Sequence, residues 1–322
     1  MKLAADFTPA WWCRGAHCQT LWRQLFRRPC MALRRERLEL PDGDFLDLDW
    51  TASPNAAVTA PLVLVLHGLE GSSRSVYAQG LLAALVKHGF RGAVLHFRGC
   101  SGEPNRMSRS YHSGETQDLA LVMDILKQRH VGPLGVVGFS LGGNVLLKWL
   151  GETGTRAVDA AVAVSVPFEL ARAADRLNRG FSRLYQWALL KSLKRGVARK
   201  ARQVALPVDL DAVERAKTFW HFDDAVTAPL HGFADVHDYY CKASSRQYLA
   251  GIAVPCLILH AADDPFMTPA AIPAAPELSA TTRLEVAAHG GHVGFVAGAW
   301  PWAPRYWLER RICAYLTERL CH

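Results

Sequence analysis

The pentapeptide GFSLG, residues 138–142, has the G-x-S-x-G spacing of a nucleophilic serine held in a sharp turn. It follows the apolar segment 134–139 and opens the amphipathic segment 141–152, a pattern that predicts a strand, a turn and a helix. Glycines two residues before and after Ser140 are needed there, because side chains at those positions would clash. The turn places Ser140 Oγ above the sheet, and the N–H of Leu141 points into the same space from a helix N-terminus.

A nucleotide-binding loop and an ordinary turn are the two alternative interpretations of this pentapeptide. In a dinucleotide-binding G-x-G-x-x-G loop, Ser140 would replace the middle glycine, and the phosphate-binding pattern G-x-x-x-x-G-K-[ST] does not occur in the sequence. The other alternative is an ordinary glycine-rich turn without chemistry. The strand and helix on either side favour the nucleophile.

A serine hydroxyl becomes a useful nucleophile when a base takes its proton and an acid orients that base. In a fold of this type the chain order is serine, acid, histidine. The segment HAADDPF, residues 260–266, follows a predicted strand and offers Asp264 as the acid, with Asp263 as the alternative. The carboxylate that is not catalytic is expected to cap a helix beginning near Thr268.

The base is expected in HGGHVGF, residues 289–295, which follows the last predicted strand. Gly290 and Gly291 suit a flexible loop that brings His292 over the sheet, so His292 is the predicted base. His289 is expected to be a solvent-exposed loop residue.

Acyl transfer also needs two N–H donors for the oxyanion that develops on the carbonyl oxygen. Leu141 supplies one at the serine turn. The loop HGLEGSS, residues 67–73, follows the first long apolar strand and supplies the other at Leu69. With Ser140, Asp264 and His292, the predicted set is complete for acyl transfer, and we expect no cofactor and no metal.

The surrounding pattern predicts the elements that position these residues. Two short alternating segments around a PDG turn predict an antiparallel hairpin over 36–50. After it, continuous apolar strands alternate with helices of 3.6-residue periodicity, which predicts a mostly parallel, doubly wound α/β sheet covered on both faces. A helix near 300–318 closes the pattern.

The segment 168–250 interrupts this alternation with helical, basic and aromatic-rich sequence, and is interpreted as a cap inserted at one sheet edge, where α/β proteins bind ligands. The predicted organisation is therefore an N-terminal arm over 1–35, a core over 36–167 and 251–322, and a cap over 168–250.

The chain has 322 residues, a net charge of +8 and eight cysteines without a CxxC pair. It has no secretory signal pattern and no apolar run near the roughly 18 residues of a membrane-spanning helix, so a cytoplasmic protein with reduced thiols is expected. Residues 172–202 carry ten Lys or Arg against Asp175 alone. This basic surface is interpreted as a solvated helix face; contact with an acidic substrate or with anionic lipid at a membrane surface stays open.

The segment WWCRGAHCQTLW, residues 11–22, also carries potential metal ligands, Cys13, His17 and Cys18. A zinc site would need a further ligand or water, and the predicted chemistry needs no metal. We therefore interpret the segment as a structural arm whose tryptophans pack on the core or cap near the mouth of the site, with His17 and Gln19 in buried hydrogen bonds. Direct substrate contact is the alternative.

The sequence resembles the YheT-like family of α/β-hydrolases. The resemblance covers nearly the whole chain and rests on the following stretches: HCQTLW (17–22), HGLEGSSRS (67–75), HFRGCSGEPNR (96–106), SYHSGETQDL (110–119), GFSLGGNVLLKWLGE (138–152), DYYCKASS (238–245), PCLILHAADDPF (255–266) and GGHVGF (290–295). It implies carboxylic-ester hydrolysis, with the serine, acid and histidine of the family at Ser140, Asp264 and His292. Related eukaryotic enzymes act on acylglycerols and phospholipids, so the expected substrate is a small-molecule or lipid-like ester.

Three alternatives to an esterase follow from the same residues. A thioesterase would use the same triad. A non-catalytic ligand-binding protein of this fold would usually lack a triad member, and none is missing here. A nucleic-acid-binding role would rest on the basic segment alone, without a recognisable motif, so no nucleic-acid partner is expected.

Overall fold

Strands and helices alternate along most of the chain. The structure is a computed structural model that describes residues 2–27, 30–52, 57 and 59–321, so residues 1, 28 and 29 of the predicted arm lie outside the described part. The strands are β1 (Lys2–Ala4), β2 (Leu33–Glu39), β3 (Phe45–Thr51), β4 (Leu62–Leu66), β5 (Arg91–His96), β6 (Leu134–Phe139), β7 (Ala160–Val164), β8 (Cys256–Ala261), β9 (Thr282–Ala287), β10 (Val296–Ala297) and β11 (Arg305–Tyr306).

The α-helices flank these strands and fill the long interval between β7 and β8. They are α1 (Ala16–Phe26), α2 (Val76–Lys87), α3 (Gln117–Arg129), α4 (Leu141–Thr153), α5 (Leu170–Leu177), α6 (Ser182–Ala201), α7 (Leu210–Arg215), α8 (Phe219–Phe222), α9 (Ala228–His231), α10 (Val236–Ala243) and α11 (Trp307–Leu320). Asp223–Thr227 form a π-helical turn, and Arg246–Gly251, Pro269–Ala271 and Ala275–Glu277 form 3₁₀ turns. Within the described residues, no helix is both long enough and apolar enough to cross a membrane.

Nine of the described strands form one sheet in the order β1-β9-β8-β7-β6-β4-β5-β3-β2. The seven strands from β1 to β5 in that order run parallel to their neighbours. The hairpin of β2 and β3 joins β5 in antiparallel orientation and closes one edge. The predicted mostly parallel sheet with an N-terminal antiparallel hairpin is therefore confirmed.

Strand β4 illustrates why the central strands are continuously apolar. Val63 and Val65 belong to a core formed with α2 and α11 on one face of the sheet. Leu62, Leu64 and Leu66 belong to a second core formed with α3 and α4 on the other face. Because successive side chains of a strand point to opposite faces, a strand with helices on both faces needs apolar residues at every position.

Two features at the ends of the chain differ from the expectation. Residues 2–4 form β1, which pairs in parallel with β9 and extends the sheet; three residues are too few to show an alternating pattern. The predicted helix near 300–318 begins only at Trp307. The preceding residues instead form β11, paired antiparallel with β10, and Pro301 and Pro304 interrupt the interval between these two strands.

The segment between β7 and β8 is a helical layer with a core of its own. Apolar residues of α5, α6, α8 and α10 pack together there, including Leu170, Leu190, Phe219 and Tyr240. The layer contacts loops that follow the parallel strands: Ser182 Oγ donates to the carbonyl of Pro265 at 2.6 Å, and Ser113 N–H donates to the Tyr239 hydroxyl at 3.0 Å. It therefore lies over the carboxyl edge of the sheet.

A buried cation connects the hairpin to α3. Arg98, 3% exposed, makes two hydrogen bonds of 2.7 Å to Asp118. Its other terminal nitrogen donates to Asp42 at 2.8 Å and to Asp44 at 3.0 Å. One guanidinium thus forms charge-assisted hydrogen bonds with three carboxylates, two of which are buried.

Replacing this cation is expected to destabilise the fold strongly. Arg98→Met leaves the carboxylates of Asp44 and Asp118 buried without their partner, which costs about 3–5 kcal/mol in the free energy of unfolding. Urea denaturation followed by tryptophan fluorescence measures this value. Arg129→Met is the matched control, because its ion pair with Glu36 is exposed and worth at most about 1 kcal/mol. Equal losses in the two variants would contradict the structural role given to Arg98.

Candidate active site

Ser140 occupies the turn between β6 and α4 with backbone angles of φ 50° and ψ −116°. This is a sparsely populated conformation for a residue other than glycine. A Cβ atom on Gly138 would lie 2.5 Å from the carbonyl oxygen of Gly142, and one on Gly142 would lie 2.5 Å from the carbonyl oxygen of His67. The predicted steric need for both glycines is confirmed, because the atoms in the way are backbone and cannot move aside.

The structure brings together the three side chains that the sequence indicated. His292 Nε2 lies 2.9 Å from Ser140 Oγ, and His292 Nδ1 lies 2.8 Å from Asp264 Oδ2. Asp264 is 3% exposed, and its other oxygen accepts the N–H of Phe266 at 2.8 Å. An ionised Asp264 can only accept, so Nδ1 carries the proton of the neutral imidazole, and Nε2 offers its lone pair to the serine hydroxyl.

Asp263, the alternative acid, and His289, the histidine expected to be exposed, lie beside each other. Asp263 Oδ2 is 3.3 Å from His289 Nδ1, and its Oδ1 accepts the N–H of Gly291 at 2.9 Å. The expectation that the non-catalytic carboxylate caps a helix near Thr268 is wrong: the turn Pro269–Ala271 starts without a side-chain cap. Asp263 holds the histidine loop, whereas His289 is exposed, as expected.

The loop after β4 contains Leu69, the second predicted N–H donor. The N–H of Gly68 donates to the Tyr77 hydroxyl at 2.8 Å, and the N–H of Glu70 donates to the Tyr111 hydroxyl at 2.9 Å. Among the described residues, no hydrogen-bond partner is found for the intervening N–H of Leu69 or for that of Leu141. Both leucines line the pocket that contains Ser140.

His67, immediately before this loop, is a structural histidine that sequence reasoning did not assign. Its Nδ1 donates to the carbonyl of Gly68 at 2.7 Å, and its Nε2 accepts the N–H of Phe97 at 3.2 Å. Burial lowers the pKa of His67 to about 3, so the ring stays neutral in this one tautomer. It fixes the turn at Gly68 and hence the direction of the next N–H.

An aromatic ring packs against the face of the His292 imidazole. Phe266 stacks on it with ring centroids 4.0 Å apart and an interplanar angle of 2°. Tyr185 of α6 packs on Phe266 at 5.0 Å, and its hydroxyl lies 3.0 Å from Nδ1 of His17. Sequence reasoning missed Phe266 as a site residue; its place two residues after Asp264 was the available signal.

The N-terminal arm holds the backbone of the histidine loop. The N–H of His292 donates to Thr20 Oγ1 at 2.9 Å. Gln19, fully buried, bonds both the N–H and the carbonyl of Val296, at 2.6 and 2.9 Å. Gly291 has a φ of +57°, and a Cβ there would lie 2.4 Å from the carbonyl of Ala16. The expected buried hydrogen bonds are therefore present for Gln19, whereas the hydrogen bond of His17 with Tyr185 is only partly buried. The bonds of Gln19 and Thr20 lie directly behind the histidine loop.

The other side chains of the arm have structural contacts. Trp12 and Trp22 pack together with ring centroids 4.5 Å apart, whereas Trp11 is 61% exposed. Cys13 is buried beside Cys18, and burial raises the pKa of its thiol. Within the described chain, the ligand atoms of Cys13, Cys18 and His17 do not meet as a metal site.

One group in the described residues does have the composition of a metal site: His112, Glu115 and His231, whose ligand atoms lie within 4.8 Å of one another. The hydrogen bonds of this group are unfavourable for binding a metal ion. His112 Nδ1 accepts the N–H of Gly114 at 3.1 Å, so its proton sits on Nε2, the atom that faces Glu115. Glu115 already binds Arg109 at 2.6 Å. A metal would have to displace both a proton and a guanidinium.

An elongated pocket opens beside Ser140 and runs under the helical layer. Near the serine it is bounded by Leu69, Leu141, Phe266, Met267 and His292. Under the helices its wall is mainly apolar, formed by Leu170, Ala173, Ala174, Leu177, Leu189, Leu193, Val197, Phe219, Phe222, Val226 and Leu230. Toward the loop before α3 the wall becomes polar and cationic, with Arg98, Ser110, His112, Arg199 and Lys200.

The chain was compared with known proteins. A family model for the α/β-hydrolase fold matches residues 61–299. The chain is 46% identical to YheT of Escherichia coli over 98% of this chain and 94% of that protein. It is 32% identical to phospholipase ABHD3 of mouse over 97% of this chain and 76% of that protein. It is 30% identical to the monoacylglycerol lipase of Saccharomyces cerevisiae over 81% of this chain and 60% of that protein.

Among solved structures, the Pyrococcus furiosus esterase Pf2001 is similar with a TM-score of 0.58 and 16% identity, over 99% of both chains. At this identity the likeness concerns the fold alone. The sequence matches extend over nearly the whole chain and include the serine turn, the acid loop and the histidine loop. The chain therefore belongs to the α/β-hydrolase family, in its YheT-like group.

Proposed function

We propose that this protein is a serine hydrolase that cleaves carboxylic esters through an acyl-enzyme. The observation that carries the proposal is the continuous hydrogen-bonded series Asp264–His292–Ser140, with distances of 2.8 and 2.9 Å, at the mouth of a largely apolar pocket. Two N–H groups, of Leu69 and Leu141, border the same space.

In the first half of the reaction, Ser140 Oγ attacks the ester carbonyl and His292 Nε2 takes the hydroxyl proton. Asp264 keeps the imidazole in the required tautomer and stabilises its positive charge. The N–H groups of Leu69 and Leu141 donate to the oxyanion of the tetrahedral intermediate. His292 then protonates the leaving alcohol, and the acyl group stays on Ser140.

In the second half, water takes the place of the alcohol. His292 Nε2 removes a proton from it, the resulting oxygen nucleophile attacks the acyl carbonyl, and the proton returns to Ser140 Oγ as the acid leaves. The same two N–H donors serve both tetrahedral intermediates, so each group acts twice.

The proposed substrate is a medium-chain or lipid-like ester. The cap formed by residues 168–250 supplies a continuous apolar wall, and burying an acyl chain there gains about 0.8 kcal/mol for each methylene. The names phospholipase and monoacylglycerol lipase borne by relatives support the same class.

The arm has a positioning role in this proposal. The general base sits on a loop with left-handed residues at Gly291 and Val293, a conformation that needs external support. The support comes from α1, through Thr20 Oγ1 on the N–H of His292 and through Gln19 on Val296. The arm thus acts on catalysis through the orientation of His292.

The triad assignment makes a direct prediction. Ser140→Ala is expected to lower kcat for p-nitrophenyl butyrate by about 10³-fold or more, since no nucleophile remains. Asp264→Asn and His292→Gln are expected to lower kcat comparably, whereas the neighbouring controls Asp263→Asn and His289→Gln retain most of it. Esterase assays and labelling of Ser140 by a fluorophosphonate probe measure the difference. Full turnover by Ser140→Ala, or greater loss in the control variants, would exclude the proposed mechanism.

The positioning role of the arm makes a second prediction. Thr20→Val removes the acceptor for the N–H of His292 while keeping the side-chain shape, and the unsatisfied donor is worth about 1–3 kcal/mol. We expect kcat to fall roughly tenfold with little change in KM, and Thr20→Ser to restore it. The pH profile of kcat/KM reports the altered histidine.

The matched control is Thr281→Val. This change removes a threonine hydroxyl that donates to the backbone carbonyl of Ile252, far from the site. An equal fall of kcat in both valine variants, or an unchanged kcat in Thr20→Val, would show that the arm does not position His292.

A further inference from the structure

Lys200 is a buried cation at the polar end of the pocket. It lies in the last turn of α6, is 7% exposed and lines the pocket wall. Its ammonium donates to the carbonyl of Arg109, which uses one of its three N–H bonds. No carboxylate of the described residues lies within ion-pair distance of it. Burying a charge without a counter-charge costs free energy. An anion bound from outside the protein would reduce this cost.

The carboxylates of this region are committed elsewhere. Asp44 binds Arg98 and accepts three further hydrogen bonds from the loop around Asn105 and from its own strand. Asp118 is bound by Arg98 through both of its oxygens, and Glu115 is bound by Arg109. Each of these carboxylates already binds an arginine.

Arg199, the residue before Lys200, adds a second positive charge at the polar end of the pocket. Arg199 also lines the pocket, is exposed, and has no ion pair among the described residues. By contrast, Lys194 on the same helix donates to the backbone carbonyl of Glu214 and is not part of the pocket wall. Helix α6 itself contains no acidic residue.

Helix α6 also connects this cation to the loop of the proposed oxyanion donor. Ser192 Oγ donates to Glu70, the residue next to Leu69, at 2.6 Å. Lys200 follows Ser192 by eight residues on the same helix, so the two are about 12 Å apart along its axis.

We propose that Lys200, assisted by Arg199, binds an anionic group on the alcohol part of the ester whose carbonyl Ser140 attacks. The inference rests on the proposed function and adds the substrate class: esters whose alcohol carries a carboxylate or a phosphate. In this proposal the apolar part of the pocket wall receives the acyl chain, and the cationic part around Lys200 receives the acidic leaving group.

The experiment compares three series of butyrate esters in which the alcohol ends in a phosphate, a carboxylate or a neutral methyl ether. The alcohols are four to twelve bonds long. Wild-type kcat/KM is expected to favour the anionic series, with a preference that depends on the length of the alcohol. Comparing the phosphate series with the carboxylate series shows which anionic group the site prefers. A preference for either series over the neutral one supports the subsite.

In Lys200→Met, the ratio of kcat/KM for the anionic ester to that for the neutral ester is expected to fall about tenfold or more, the equivalent of losing one charge-assisted hydrogen bond. The matched control Lys194→Met removes a lysine that is also bonded to a carbonyl and should leave this ratio unchanged. An unchanged ratio in Lys200→Met, or equal ratios at all lengths in the wild type, would overturn the inference.

The pH dependence provides a readout that a structural lysine would not give. Burial lowers the pKa of Lys200 to about 8; nearby Asp44 raises it and Arg98 lowers it further. His231, which also faces Lys200, stays neutral above pH 7 because burial lowers its pKa to about 3. The ammonium is thus present below about pH 8 and lost above it.

KM for the anionic ester is therefore expected to rise roughly tenfold or more between pH 7 and pH 9.5 in the wild type, with no such rise for the neutral ester. Lys200→Arg, which stays charged, should keep KM for the anionic ester low over this range. An identical rise in Lys200→Arg would assign the titration to another group and contradict the role of Lys200.

A binding measurement separates this inference from the proposed function. Calorimetry of decyl phosphate and of decanol with the wild type and with Lys200→Met requires no hydrolysis. Selective loss of decyl phosphate affinity in the variant supports the subsite even if esters are not cleaved, and equal affinities in both proteins overturn it. Thermal unfolding of each variant shows whether the fold is retained.

Discussion

A close backbone contact between β4 and α4 is the constraint on which the site depends. Gly142, in the first turn of α4, lies against the carbonyls of Leu66 and His67, so that even one added methyl group would meet them at 2.5–2.6 Å. This contact fixes the serine turn beside the Gly68 loop, so that Ser140, Leu69 and Leu141 border one pocket. Because both partners are backbone, the geometry is set before any substrate binds, which is what electrostatic preorganisation requires.

The remaining member of the proposed triad depends on parts outside the sheet. The loop of His292 is held behind by the arm helix α1, through Thr20, and at the side by Phe266, which in turn packs on Tyr185 of α6. The tryptophan- and cysteine-rich segment at the start of the chain therefore has a structural explanation connected to function. Its buried glutamine and threonine fix the loop that carries the proposed base, and the segment needs no metal for this role.

The helical layer shows how a largely apolar pocket accommodates polar groups. Asp223 inside it is partly buried, and burial raises the pKa of its carboxyl to about 6, but it accepts hydrogen bonds from Thr227 and Tyr240. Arg98 is surrounded by three carboxylates. Lys200 has no such counter-charge among the described residues, which distinguishes it from Arg98, the other buried cation of the pocket wall.

The sequence by itself determined the fold class and indicated the proposed nucleophile, acid and base, because these follow from local patterns: glycine spacing around Ser140, apolar strands, and loops after predicted strands. Tertiary structure decided the rest. It brought Asp264 to His292, left Asp263 on the Gly291 loop, and placed Thr20 under a histidine 272 positions later. Such contacts have no periodicity that a sequence could display, because they join elements that meet only when the arm and the cap pack on the sheet. The side of α6 on which Lys200 lies was undetermined for the same reason: a basic helix looks alike in sequence whether its lysine faces water or a pocket.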